Sequence, residues 1–336
     1  MTNRYEALIT RFGQTRLVVA GDLLADEFIY GRVERVSREA PVLILQYDAT
    51  EIVPGGAGNA ASNAAALGAS VTVIGVVGED DPGRRLIAAL PPGAKTRSIV
   101  RARGYVTPVK TRILAGGLHS AKQQVVRIDR MGRPAGSAIG KRIETALARA
   151  ITGADAVIVS DYGGGAMTPA RWERVRRQPR KKKLISLVDS RYALGGFTGM
   201  TACTPNESEV EALLGVRLGE DQGALEHAGR TLLARLQCEA VLITRGSRGM
   251  ALFEPGRSTD HIAIIGSDQV ADVTGAGDTV IATFALALAA GATFGEAARL
   301  ANYAGGLVVM KRGTATVSRD ELLAATEAHP AGGRPS

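Results

Sequence analysis

Residues 156–161, Ala156-Val157-Ile158-Val159-Ser160-Asp161, are a short apolar run closed by a hydroxyl and a carboxylate. A run without polar alternation suits a strand covered on both faces, as in a parallel sheet. An amphipathic helical pattern over 139–151 precedes it, and a second β-like run over 184–188 follows, ending in Asp189. Strand and helix in alternation build open α/β sheets.

The alternation extends both ways. Toward the N terminus, Leu17-Val18-Val19-Ala20 reads as a strand ending in Gly21-Asp22, 59–67 as an Ala-rich helix, 71–77 as one buried strand and 84–90 as a helix. Toward the C terminus, 207–214 and 224–236 read as helices and Val241-Leu242-Ile243-Thr244 as a strand. Helices over 279–290 and 295–310 close the chain. The expected fold class is α/β, an open, mostly parallel sheet flanked by helices. Ligands of such sheets lie beyond the carboxyl ends of the strands. Asp22, Asp161, Asp189, Asn206 and Arg245 all fall at such ends.

Two regions break the alternation. Residues 27–47 and 108–130 hold β-like runs with no helix between, such as Val42-Leu43-Ile44-Leu45 and Gln124-Val125-Val126-Arg127-Ile128. They are expected to form a small β-sheet lid on a single domain spanning 1–330. A sheet that small has difficulty burying its outer face. A homodimer pairing two lids would cover it; the alternative is a lid lying flat on its own domain. The Gly/Pro-rich tail 331–336 is expected to be disordered.

The chain has 336 residues, 45% of them hydrophobic, and a formal net charge of +8. Its two cysteines, Cys203 and Cys238, sit in apolar contexts and read as buried thiols in a reducing compartment. The four histidines are scattered, with no zinc spacing. No stretch approaches the roughly 18 apolar residues of a membrane span, so the cytoplasm is the expected location. Much of the positive charge lies in 171–183, which reads either as a nucleic-acid patch or as the solvated face of a surface helix. Sparse aromatics and the absence of a nucleic-acid motif favour the second reading.

The chemistry concentrates in Ala271-Asp272-Val273-Thr274-Gly275-Ala276-Gly277-Asp278-Thr279, at the mouth of an apolar helix. A helix start presents unpaired N–H groups and a positive dipole end, so it attracts anions. Glycines there allow a bulky anion to approach closely. Asp278 is unfavourable beside a bare phosphate, but it makes sense as acceptor of the proton from a hydroxyl that attacks the phosphate. The segment reads as a phosphoryl-transfer site.

Other clusters are individually ambiguous. Pro54-Gly55-Gly56-Ala57-Gly58-Asn59 could admit a polar ligand or be an ordinary turn. Asn206 and Glu209 share a helical face; they could orient magnesium or form a helix cap. Thr244-Arg245-Gly246-Ser247-Arg248-Gly249 suits nucleotide phosphates or a hairpin turn. Asp22 and Asp26 could accept from sugar hydroxyls or be turn residues.

Together these segments resemble the ribokinase/PfkB family of sugar kinases over about residues 17–317. The resemblance rests on Gly55-Gly56-x-x-Asn59, Thr204-Pro205-Asn206-x-x-Glu209 and Asp272-x-Thr274-Gly275-Ala276-Gly277-Asp278. Within the family the chain looks most like the heptose 7-phosphate kinases of lipopolysaccharide precursor synthesis. That likeness rests on Gly21-Asp22-x-x-x-Asp26-x-x-x-Tyr30-Gly31, Ser37-x-Glu39-Ala40-Pro41-Val42, Thr107-x-x-Lys110-x-Arg112 and Ser160-Asp161-Tyr162. The chain departs from them at Gly163-Gly164-Gly165, where a lysine is expected near 164, and at Ser190-Arg191, where a Pro-Lys pair is expected. It also contains no His-x-Gly-His, so an adenylyl-transferring step would belong to a separate protein or to another part of a longer chain.

The resemblance implies a ribokinase-like fold and ATP-dependent phosphorylation of a sugar hydroxyl. The substrate it implies is D-glycero-D-manno-heptose 7-phosphate, phosphorylated on its anomeric hydroxyl to the 1,7-bisphosphate. Asp278 would be the base, with the N–H groups of Gly275, Ala276 and Gly277 on the transferring phosphoryl group. ATP would lie along Asn206, Thr244, Arg245, Gly246, Gly249 and a loop around Asn302, with magnesium at Asn206 and Glu209. Potassium would sit near Asp272 and Thr274. Sugar hydroxyls would meet Asp22, Asp26, Gly55, Gly56 and Asn59, and a sugar phosphate would meet Lys110, Arg112, Arg127 or Arg191. The partner is a small molecule, neither nucleic acid nor membrane. Rival readings are a kinase of another sugar (a ketose, a fructose phosphate or a nucleoside), a non-catalytic sugar or nucleotide sensor, and a nucleic-acid binder.

Overall fold

The computed structural model describes residues 4–116, 122–179, 182–265, 272–311 and 313–328. Ala271, residues 117–121 of the second lid segment, Arg180 and Lys181 of the basic run, and the tail 331–336 lie outside the described residues.

The strands in chain order are β1 (Arg16–Gly21), β2 (Leu23–Val36), β3 (Leu43–Gly56), β4 (Ser70–Ile74), β5 (Val76–Gly78), β6 (Val100–Ala102) and β7 (Val109–Gly116). They continue with β8 (Gln123–Arg130), β9 (Ala156–Asp161), β10 (Ile185–Ser190), β11 (Ala202–Cys203), β12 (Ala240–Thr244), β13 (Met250–Phe253) and β14 (Asp260–Ile262). An eight-stranded sheet runs β14-β13-β12-β11-β10-β9-β1-β4. It is parallel from β4 to β12, and β13 and β14 add an antiparallel edge. The α/β class read from the sequence is the class observed.

Alternate residues of the buried strands feed two cores. Leu17, Val19, Ile158 and Leu187 pack with the helices Ala57–Ala66, Ala276–Ala289 and Phe294–Val309 on one face. Val18, Ala20, Val157, Val159 and Val188 pack with the helices Ser137–Ala150, Pro169–Arg176 and Gln222–Leu236 on the other. The helix Ala276–Ala289 is apolar all round and buried from Asp278 to Leu288, as expected of an interior helix.

The expected strand over 71–77 is two strands. It breaks at Gly75, and β5 pairs with β6 in a separate ribbon. A Cβ at Gly75 would lie 2.6 Å from the Gly21 carbonyl oxygen, so the close approach of β1 excludes a side chain there. The interior helix begins at Ala276 rather than 279. Sequence reading missed the helices Arg4–Arg11 and Arg319–Ala328 and the hairpin β13–β14.

A smaller four-stranded sheet runs β3-β2-β7-β8. β2 and β3 form a long antiparallel pair from Leu23↔Gly56 to Val36↔Leu43, with irregularities at Tyr30/Gly31 and Val33/Arg35. Its distal part exposes Val36, Leu43 and Tyr47, and β8 exposes Val125, Val126 and Ile128.

Described cations of the basic run have acidic partners. Arg174 pairs with Glu144, Arg176 and Arg177 with Glu173, Lys182 with Asp155 and Lys183 with Glu239. Arg171, by contrast, is buried. No helix among the described residues is long and apolar enough to cross a membrane.

Candidate active site

A cavity of about 670 Å³ opens between the two sheets, where the carboxyl ends of β9, β10 and β12 meet β2, β7 and the start of Ala276–Ala289. Asp278 is buried in its lining. The helix mouth is shaped by Gly275, which caps the helix at φ 79, a left-handed conformation suited to glycine. A Cβ there would also collide with the Asn59 amide. The Ala276 N–H turns back to the Val273 carbonyl at 3.3 Å, and Ala276 does not line the cavity, whereas Gly275 and Gly277 do. Of the three residues expected to turn an N–H group to an anion, two therefore border the cavity. A Cβ at Gly277 would meet nothing within 4 Å, so this residue fronts open space.

Both oxygens of Asp278 have donors. Asn59 Nδ2 lies 2.8 Å from Oδ2 and the Tyr162 hydroxyl 3.1 Å from Oδ1. Burial disfavours the charged carboxylate and pushes its pKa up to about 7; the Asn59 and Tyr162 hydrogen bonds pull down, Asp26 pushes up and Lys110 pulls down. A carboxyl poised near neutrality suits a general base.

Asp22 lies away from its expected place. It is buried and does not line the cavity. Its Oδ2 accepts from the N–H groups of Tyr162 and Gly164, both at 2.8 Å, and its Oδ1 accepts from Ala166 at 2.8 Å. It holds a loop rather than facing a sugar. Its pKa rises to about 6, with burial outweighing those hydrogen bonds. The loop explains Gly164: a Cβ would sit 2.8 Å from Asp22 Oδ1 and 2.9 Å from Cγ. A lysine cannot occupy position 164 in this conformation.

Asp26, Gly56 and Asn59 line the cavity; Gly55 does not, but a side chain on it would collide with the Asp26 carboxylate. The cationic wall comes from β7, β8 and the end of β10. Arg112 Nη1 pairs with Asp26 Oδ1 at 2.5 Å. Arg127 pairs with Asp129 through two bonds of 2.7 and 2.6 Å. Lys110 lies 5.4 Å over the Tyr162 ring and Arg191 5.9 Å from the Tyr192 ring centre. All four cations line the cavity. Burial lowers the Lys110 pKa, with Asp26 opposing.

Asn206 and Glu209 form a capping box, Asn206 N to Glu209 Oε2 at 3.0 Å and Glu209 N to Asn206 Oδ1 at 2.9 Å. The cap leaves Glu209 Oε1 free of that pairing, and both residues line the cavity. Burial raises the pKa of Glu209; burial, then Glu209, Asp278 and Asp161, pushes Asp189 well above the usual carboxylate range, with Arg191 opposing. Crowded negative charge of this kind is what a divalent cation relieves. No group of three or more His, Cys, Asp or Glu among the described residues could hold a metal ion. Magnesium would therefore need phosphate oxygens and water beside these side chains, its usual habit in phosphoryl-transfer sites.

The expected nucleotide residues divide. Thr244 lines the cavity with Asn206. Arg245, Gly246 and Gly249 do not: they form the tight turn between β12 and β13, and Arg245 Nε bonds Glu207 at 2.8 Å. Asn302 lies in the middle of the helix Phe294–Val309, not in a loop, and its buried amide donates to the Ala263 carbonyl at 2.7 Å. Asp272 accepts from Thr274 N at 2.8 Å and Gly313 N at 3.1 Å, in a neighbouring cleft that Thr274 and Thr314 share. Thr314 Oγ1 is buried there with no partner among the described residues, a spare oxygen that fits a monovalent cation site. Sequence reading set Asp161 and Asp189 at strand ends, and Tyr162 in the family likeness, but gave none of them a role; the cavity is lined by all three. Their position just past apolar strands was the available signal.

A family profile described as "pfkB family carbohydrate kinase" matches residues 14–321. The chain belongs to the PfkB family of carbohydrate kinases. It is 41% identical over 323 residues to a "Bifunctional protein HldE" of Trichlorobacter lovleyi, covering 95% of this chain and 64% of that protein. It is 39% identical to the HldE of Geotalea uraniireducens, covering 97% of this chain and 66% of that one. The chain thus spans about two thirds or slightly less of the length of these relatives. The fold is that of Arabidopsis thaliana ribokinase complexed with ribose and ATP, at TM-score 0.69 and 20% identity, covering 93% of this chain and 98% of that one. It is also that of Escherichia coli phosphofructokinase-2 in complex with potassium, at TM-score 0.74 and 17% identity, covering 94% and 98%. This PfkB kinase is an enzyme acting on a carbohydrate.

Proposed function

We propose that the chain transfers the γ-phosphoryl group of ATP to the anomeric hydroxyl of D-glycero-D-manno-heptose 7-phosphate, forming the 1,7-bisphosphate. The carrying observation is one cavity lined by the buried Asp278, the helix mouth beside it and four cations. The relatives named HldE support the kinase assignment and the sugar class.

Asp278 accepts the proton of the attacking hydroxyl as the new oxygen–phosphorus bond forms and the bond to the departing ADP breaks. The N–H groups of Gly275 and Gly277 and the dipole of their helix stabilise the charge on the phosphoryl group. Asp26 and Asn59 orient the sugar. Lys110, Arg127 and Arg191 receive the phosphate it already carries; Arg112 is largely committed to Asp26. Asn206 and Thr244 border the nucleotide. Glu209 and Asn206 would hold magnesium, which when bound neutralises the phosphate oxygens. Asp272, Thr274 and Thr314 fit potassium. The small sheet acts as a lid, and the apolar tip of β2–β3 pairs with a second copy. The reaction takes place in the cytoplasm.

A second reading is a kinase for another sugar phosphate. Arg191 favours it, because it lines the cavity at a position where the likeness to heptose kinases implies a lysine. A phosphoryl-transfer screen of heptose 7-phosphate, free heptose and fructose phosphates with ATP decides between them. A fructose phosphate as the preferred acceptor overturns the heptose assignment.

A further inference from the structure

The loop after β9 is clasped from two sides. From β1's end, the Asp22 carboxylate takes three of its N–H groups, those of Tyr162, Gly164 and Ala166. From the following helix, the buried Arg171 guanidinium reaches the carbonyls of Gly165, Ala166 and, beyond the loop, Ala135. Three charge-assisted bonds to one loop are strong and directional. So fixed, the loop delivers Tyr162, whose ring packs under the Lys110 ammonium and whose hydroxyl reaches Asp278 Oδ1.

We propose that Tyr162 is a positioning residue for Asp278, and that Asp22 acts through the clasped loop to hold Tyr162 in place. This rests on Asp278 being the base. With Tyr162 on Oδ1 and Asn59 on Oδ2, the carboxylate plane is fixed, and each oxygen keeps a lone pair for the cavity. A donated hydrogen bond favours the charged carboxylate, so it opposes the burial that raises Asp278 toward neutrality. The other charged groups facing Asp278 are Asp26 from β2, Lys110 from β7 and Asp189 from β10; Glu209 faces the Tyr162 hydroxyl.

Tyr162→Phe keeps the ring under Lys110 and removes only the hydroxyl. Two readouts test it in the full chain. One is the pH profile of kcat/KM with ATP and heptose 7-phosphate. The other, which needs no turnover, is an infrared titration of the Asp278 carboxyl, assigned by its loss in Asp278→Asn. Loss of a hydrogen bond to a charged group predicts that the midpoint moves upward by on the order of one pH unit. Turnover should recover at alkaline pH, with kcat affected more than KM. Asp22→Asn should move the midpoint in the same direction. If it does not fold, Gly164→Ala, which presses the loop off Asp22, takes its place. An unmoved midpoint in Tyr162→Phe overturns the proposal. Wild-type kcat in Asp278→Asn overturns instead the reading on which it rests.

Discussion

Asn59 Nδ2 sits 2.8 Å from Asp278 Oδ2, although 219 positions separate the two residues in the chain. One turn further, Asn63 Oδ1 accepts from Thr279 Oγ1 at 2.9 Å. The two glycine-led helix starts are therefore bolted together, and the geometry around Asp278 depends on both. Asn59→Ala removes one donor from the carboxylate. A hydrogen bond to a charged group is worth about 1.5–3 kcal/mol. Turnover near neutral pH should fall roughly ten- to a hundredfold and recover in part at alkaline pH, as steady-state kinetics across pH would show.

Asp278→Asn should lower kcat by on the order of 10²–10⁴, the usual cost of losing a general base. The nucleotide contacts are elsewhere, so calorimetry with a non-hydrolysable ATP analogue should give an affinity close to wild type. Wild-type turnover would remove Asp278 from the mechanism.

The pH profile follows from the pKa of about 7 at Asp278. Below it the carboxyl holds its own proton and cannot accept another. The kcat/KM profile should therefore fall on the acid side with a midpoint near neutrality and rise toward pH 8. The stability contribution has the opposite sign. A carboxyl that binds its proton more tightly folded than unfolded supports the fold most fully below about pH 4. That contribution is lost as pH rises through about 7, so thermal melts of wild type and Asp278→Asn should diverge in that window.

Gly277→Ala separates folding from binding. The new methyl meets no protein atom within 4 Å, and alanine is a better helix former by about 1 kcal/mol. The variant should melt no lower than wild type. Because the methyl enters the space assigned to the phosphoryl group, kcat/KM for ATP should drop at least tenfold, on the order of 1.4 kcal/mol. Unchanged kinetics would place the phosphates elsewhere.

Lys110→Met keeps the apolar stem over Tyr162 and removes the charge. KM for a phosphorylated sugar should rise roughly tenfold or more, as for a lost charge-assisted contact of about 1.5–3 kcal/mol. KM for ATP should change little. Equal effects on both substrates would argue against a sugar-phosphate role.

The sheet was legible because parallel strands buried on both faces leave unbroken apolar runs, as at 156–159, and helices between them leave a 3.6-residue period. The helix mouth at 275–278 was legible because glycine and carboxylate at a helix start leave few alternatives. Strand-end carboxylates were harder. Asp22 and Asp26 look alike in sequence, yet one is consumed by loop N–H groups and the other faces the cavity. What separates them is the later loop at 162–166, far away in the chain. The turn glycines Gly246 and Gly249 serve the turn itself, and Asn302 serves a helix-to-loop tie, because local backbone needs claimed them first. Arg4–Arg11 and β13–β14 are short elements whose signal comes from packing on the rest of the chain.

The β2–β3 hairpin carries Asp26 near one end and the exposed pair Val36 and Leu43 at the other. At about 3.3 Å per residue, those ends are tens of ångströms apart on the same continuous backbone. A second copy docked on Val36 and Tyr47, as proposed above, would therefore grip the same hairpin that carries Asp26 to the cavity, though neither residue touches the cavity itself.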